Sequence, residues 1–144
     1  MPVLTDYAEN KIVDAILRGQ SIGAPATLYI ALSTAARSDS AAPAEPSGNG
    51  YARVSIAANL SNFNGTQGAA AASSGTDGTV ENAVSIAFPT STGAWGTIQS
   101  VWFMDASSGG NAWISIDLSS SLAVSGSGFT VQFAPGTLQF QIDN

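Results

Sequence analysis

Acid–base chemistry in this chain can come only from carboxylates, because neither histidine nor cysteine occurs among its 144 residues. Their absence removes Ser–His and Cys–His nucleophile pairs, histidine general bases, disulfides and thiolate metal sites. No Gly-x-Ser-x-Gly nucleophile elbow, no Ser-x-x-Lys pair and no phosphate-cradling glycine loop ending in lysine is expected. Gly48-Asn49-Gly50 lacks a third glycine and reads as a turn feeding a strand. The ten carboxylates are Asp6, Glu9, Asp14, Asp39, Glu45, Asp77, Glu81, Asp105, Asp117 and Asp143. A glycoside hydrolase needs two of them facing one sugar cleft. Asp105 and Asp117 form the best pair, since they fall on neighbouring strands of one hairpin, yet Asp105 precedes a turn, where an aspartate commonly bonds backbone. Asp77 and Glu81, with Asn82 beside them, are oxygen donors of the calcium type, but their spacing matches no EF-hand loop and reads as a solvated loop. The inventory therefore predicts no catalytic residues, no metal site and no cofactor.

The remaining chemistry is that of contact. If Ile114, Ile116 and Leu118 face a core, Trp113 stands on the opposite face of its strand with Ser115 and Asp117. Tyr29 lies opposite Leu28 and Ile30 in the same way, and Trp102 competes with Val101 and Phe103 for the core side. Trp113, Trp102 and Tyr29 are thus candidate partner contacts, since exposed aromatics anchor interfaces. In the alternative reading, loops or the N-terminal helix of the same chain cover these rings.

The elements that would position these groups follow from periodicity. Leu4, Ala8, Ile12 and Ile16, widened by Val13 and Leu17, predict one helix over about 4–19, capped by Thr5 or Asp6 and stopped by Gly19. From about residue 26 to 143 the period is two. Runs at Thr27–Leu32, Tyr51–Ile56, Val84–Phe88, Ile98–Met104, Ala112–Leu118, Leu122–Val124, Phe129–Phe133 and Leu138–Ile142 give about eight strands. Ser107-Ser108-Gly109-Gly110-Asn111 marks a hairpin turn. Consecutive strands without intervening helices predict a mainly β chain: one domain over 1–144, an antiparallel β-sandwich or jelly-roll-like barrel with one N-terminal α-helix. Two long loops, 33–50 and 61–78, are either ordered by a neighbour or loose.

Charge narrows the partners. The net charge is −6, and the four cations Lys11, Arg18, Arg37 and Arg53 are scattered, so neither nucleic acid nor an anionic membrane is expected. Met1 to Asp6 lacks the basic and apolar regions of a signal peptide, which predicts synthesis in a cytoplasm. Charged residues make up only 10%, a surface suited to a large buried contact, where lysine and glutamate are depleted.

The order of segments resembles the small tail fibre proteins of tailed bacteriophages and prophages. The resemblance runs essentially end to end: Leu4–Lys11, Ala24–Leu32, Gly50–Val54, Phe88-Pro89-Thr90, Trp95–Ile98, Asp105-Ala106 before Gly109-Gly110-Asn111, and Phe129-Thr130-Val131. That family pattern carries a small residue near Trp102, so the tryptophan is a departure from it. The resemblance implies a virion structural protein with no catalytic residues to carry over. The first expectation is a non-enzymatic capsid decoration, or cement, protein that binds the major capsid protein or other virion proteins and associates with itself as a dimer or trimer. The alternative is a tail fibre or tail-tip component that binds a host receptor. Either would be assembled in the host bacterial cytoplasm and end in the virion.

Overall fold

The computed structural model describes residues 2–66, 71–74, 76 and 78–142. Among them one helix and ten strands follow in chain order: β1 (Val3–Leu4), α1 (Asp6–Arg18), β2 (Thr27–Ser33), β3 (Val54–Ala57), β4 (Phe63–Asn64), β5 (Thr79–Asn82), β6 (Ile86–Ala87), β7 (Gly96–Met104), β8 (Ala112–Val124), β9 (Gln132–Phe133) and β10 (Gln139–Gln141). The chain is mainly β with antiparallel sheets, as the period of two predicts. The sheets remain open, so of the two predicted architectures the sandwich is found and the barrel is not.

A five-stranded sheet, ordered β1-β8-β7-β2-β3, is the platform; β10-β5-β4 and β6-β9 are the two smaller sheets. Alternation along the central strands sends Ile30 and Leu32 of β2, Val101 and Phe103 of β7 and Ile116 of β8 into one core with Ile86, Val131 and Leu138 of the opposing segments. Removing such side chains from water contributes about 25 cal/mol per Å² of apolar area, the main favourable term for a chain this short of charge. Several predicted strands differ in extent: Val84–Phe88 shortens to Ile86–Ala87, Phe129–Phe133 to Gln132–Phe133 and Leu138–Ile142 to Gln139–Gln141. Tyr51–Arg53 precede β3 rather than belonging to it. The pieces at 112–118 and 122–124 fuse into β8, where five steps from Asp117 to Leu122 oppose two on β7, from Ser100 to Ile98. That bulge carries Ser119, Ser120 and Ser121 out of the ladder.

The helix starts later than its stripe suggests. Val3 and Leu4 pair with Ser115 and Ile114 of β8, which holds Leu4 extended and moves the first helical residue to Asp6. Thr5 joins the two elements: its hydroxyl caps the helix at Ala8 N and donates to Ala112 O. At the other end Gly19 adopts φ +65° and its N–H bonds Asp14 O, the left-handed stop that only glycine takes cheaply. No described helix is long and apolar enough to cross a membrane.

Candidate interaction surfaces

The opposite face of the five-stranded sheet carries the predicted contact residues, and register explains why they meet. Ala31 of β2 pairs with Trp102 of β7, which pairs with Ser115 of β8; Tyr29 pairs with Met104; Trp113 sits two residues before Ser115. All three aromatics therefore share one face, but two are not on the molecular surface. Trp102 is 1% exposed and Trp113 9%. Trp113 meets the Tyr7 ring of α1 edge-on at 5.4 Å. Trp102 donates its indole N–H to Ser100 Oγ at 2.8 Å and packs with Ala31 and Met104. Tyr29 remains partly open at the edge of that cluster. Cover by the same chain is thus the reading the structure supports for both tryptophans.

The cover over this face is the segment after β2. Ser33 Oγ accepts from the amides of Ala35 and Ala44, each at 3.1 Å, and closes the segment into a loop. Ser100 Oγ donates to Ala35 O at 2.7 Å, and Ser115 Oγ to Ser38 O at 3.0 Å. Asp117 Oδ1 accepts from Arg37 N at 2.8 Å while its Oδ2 stands 3.3 Å from Arg37 Nε. Asp39 O accepts from Asp6 N, the first residue of α1, at 2.9 Å. The polar side of the sheet is polar because it hydrogen-bonds a peptide chain. The first long loop is ordered by its own sheet, and neither a neighbour nor looseness is needed to explain it. Part of the second, 61–78, is strand β4, Phe63–Asn64, paired with β5.

A buried ion pair fastens the far end of that first loop. Arg53, with only 5% of its side chain exposed, places Nη2 2.6 Å from Glu45 Oε1. Its Nε lies 3.1 Å from Glu45 Oε2, and its Nη1 donates to Ala106 O and Gly109 O in the β7–β8 turn, at 2.5 and 2.9 Å. Tyr51 Oη donates to Glu45 Oε2 at 2.9 Å and accepts from Leu32 N at 2.9 Å. Burial first, then the adjoining Glu45 carboxylate, pushes the Tyr51 phenol far above its ordinary range.

Asp105 and Asp117 do not assemble a catalytic pair. Asp105 Oδ1 accepts from Asn111 N at 2.7 Å and Oδ2 from Asn111 Nδ2 at 2.9 Å, so it braces the turn between β7 and β8. Burial acts upward on its pKa, but the Asn111 bonds outweigh it, and the nearby Trp113 indole, though not in a well-aligned hydrogen bond, adds to them; the net shift is downward. Asp117 is five positions along β8 from Ala112 at the turn, about 17 Å at the rise of a strand. Glycosidase carboxyl groups stand about 5–9.5 Å apart. Each of these aspartates is also already engaged. Of the calcium-type donors, Asp77 lies outside the described residues, as does Asp143. Glu81 Oε2 accepts from Gln139 Nε2 at 3.0 Å. Asn82 is fully buried, donating to Val84 O and Ala134 O and accepting from Leu138 N, all at 2.8 Å. Among the described residues no group of three or more acidic side chains could hold a metal.

Two features escape the sequence reading. Gly19-Gln20-Ser21-Ile22-Gly23 does have the spacing of a nucleophile elbow. It follows a helix instead of linking strand to helix, Ser21 Oγ accepts from Gly23 N at 3.2 Å, and no histidine exists to activate it. The second is a cavity of about 340 Å³ among Leu28, Leu60, Phe63, Phe103, Leu138 and Phe140; none of its described lining residues is charged. A pocket with that lining has no acid, base or anion clamp to act on a bound molecule.

One open apolar surface among the described residues lies on α1. Of all α1 residues only Ala8 is buried, while Val13, Ile16 and Leu17 face outward together with Ile22 beyond the cap. A family model described as Podophage GP4 fiber I protein gp80 matches residues 3–141. No curated protein matches the chain.

Proposed function

From the premise that this chain belongs to the Podophage GP4 fiber I protein gp80 family, and is therefore a phage fibre-type virion structural protein, we propose that it is a tail fibre component acting by docking rather than by bond-making chemistry. Of the two placements open to the sequence, the family's description favours the fibre over capsid decoration. One structural observation bears on the same choice. A decoration protein would use long loops to reach neighbouring subunits, and the first of the two here, 33–50, is spent on the chain's own sheet through Ser33, Ser100, Ser115 and Asp117.

Receptor binding through stacked aromatics has little support in this geometry, because Trp113 lies against Tyr7 and Trp102 beneath the loop. The non-enzymatic reading rests on the lack of histidine and cysteine and on the prior engagement of Asp105 and Asp117. Association with further copies of itself belongs to the same proposal, as does assembly in the host cytoplasm.

Antibody-gold labelling of intact particles tests the placement, together with the number of copies per particle from quantitative mass spectrometry. The fibre reading expects label at the tail and a few to some dozens of copies. Label spread over the head, with hundreds of copies, would replace it with the decoration reading.

A further inference from the structure

We infer that the cavity between the five-stranded platform and the β10-β5-β4 sheet is a binding site for a small, neutral, aromatic or similarly apolar molecule. The inference goes beyond the fibre reading and holds wherever in the virion the chain sits. Four strands lose their cover where they line this one cavity. On β2, Ile30 is fully buried, while Leu28, on the same face two residues earlier, is half-buried. The same step from buried to half-buried runs from Ile116 to Ile114 on β8, from Asn82 to Val80 on β5 and from Leu138 to Phe140 on β10. Residues two apart on a strand share a face, so the two layers part at this end instead of closing. Phe63 of β4 stands 6.4 Å from Phe103 of β7 between ring centroids and bridges the layers beside the gap. The space left between them is about 340 Å³.

The lining selects the ligand. None of its described residues is charged, and its polar side chains are those of Asn59 and Ser73. Asn59 Oδ1 already accepts from the amides of Ser61 and Asn62, at 3.0 and 2.9 Å. On the order of ten water molecules fill such a space at about 30 Å³ each, and a well-held water has two to four polar partners. Two side chains, one of them engaged, leave most of that water bonded only to itself. An apolar body that displaces poorly held water gains affinity. A charged ligand would instead give up its hydration to a wall with no counter-charge.

Size and wall chemistry narrow the class further. An apolar void of about 150 Å³ takes one benzene ring, and this cavity is about twice as large. Phe63, Phe103 and Phe140 in its wall offer ring edges and faces to an aromatic guest.

Chemical-shift mapping of the full chain with toluene tests the site, with benzoate, similar in size but charged, alongside. The expected result is saturable toluene binding with a Kd of about 1 mM or tighter. Benzoate binds at least about tenfold more weakly, and the shifts centre on the methyl groups of Leu28, Val80, Ile114 and Leu138. Ala58 and Leu60 belong to the lining yet are exposed, so they can be changed without opening the core. Ala58→Phe adds a ring to the wall and Leu60→Asp adds a charge. Each is expected to weaken toluene binding about tenfold or more, with circular dichroism verifying an unchanged fold. Shifts that fail to saturate or scatter over the surface overturn the inference. So does benzoate bound as tightly as toluene, or toluene binding indifferent to a variant that keeps its fold.

Discussion

Replacing Arg53 by leucine offers the sharpest check on how the fold is fastened. The wild-type guanidinium serves both oxygens of Glu45 and the carbonyls of Ala106 and Gly109, and 5% of it is exposed. Arg53→Leu keeps most of the apolar stem and removes all four attachments. Glu45, 23% exposed, keeps the Tyr51 hydroxyl as a donor and regains some water. Breaking a buried pair from one side costs about 3–5 kcal/mol, and the partial exposure of Glu45 puts this case near the lower end, about 3 kcal/mol. For a chain of this length that corresponds to a fall in Tm of about 10 °C. The double variant Arg53→Leu/Glu45→Leu strands no charge, so it recovers about 2 kcal/mol of the loss. Arg53→Lys recovers less than half, since one ammonium cannot serve a carboxylate bidentately and two carbonyls together. Urea unfolding followed by tryptophan fluorescence reads all three. A cost below about 1 kcal/mol for Arg53→Leu, or a double variant no more stable than the single, would refute the claim that this pair holds the loop to the β7–β8 turn.

Three further outcomes follow from the same geometry. Asn82→Leu removes the side-chain partner of the Val84 carbonyl and of the Leu138 amide inside the fold, and one of the donors to Ala134 O, which keeps Thr137; it is expected to cost about 3 kcal/mol in the same unfolding assay. Asp117→Ala frees the Arg37 amide and side chain, so trypsin cuts after Arg37 faster than in the wild type; with only four basic residues in the chain, mass spectrometry of the fragments shows it directly. Stability falls at both extremes of pH in thermal melts. Asp105, whose folded pKa is lowered, contributes stability that is present above about pH 4 and lost as the pH drops further. Tyr51, whose folded pKa is raised, contributes stability that is present below about pH 10 and lost above it, a loss that Tyr51→Phe reduces.

The long periodic stretches were legible in the sequence. Leu28, Ile30 and Leu32 alternate cleanly, the Ser107–Asn111 turn joins the strands expected of it, and Thr5 and Gly19 bound α1 as their side-chain chemistry dictates. The two-residue strands β1 and β4 contain no period to read, whereas β6 and β9 fall inside the runs Val84–Phe88 and Phe129–Phe133 and are shorter than them. β5 was missed because Val80 is its only apolar residue and its buried end is Asn82, whose amide is satisfied by segments distant in sequence. The run Val101–Met104 gave no clear inward face because both sides of β7 are covered there. Serine explains the largest gap: on a strand it looks the same whether its hydroxyl meets water or a peptide carbonyl. Ser115 therefore read as part of an open polar face, and Trp113 beside it as a free contact, until the loop bonded to Ser115 and the Tyr7 ring against Trp113 are in view. The α1 stripe was misleading in the other direction, since a pattern suited to core packing buries only Ala8.

The loop over the sheet is stitched chiefly by hydroxyls of Ser33, Ser100 and Ser115 to main-chain groups. Neutral bonds of this kind carry no net charge for dissolved ions to screen, and the Arg53–Glu45 pair beneath them is shielded by burial. Together with the absence of cysteine, this leaves the part-exposed Arg37–Asp117 contact as the fastening of the covering that dissolved salt reaches most readily.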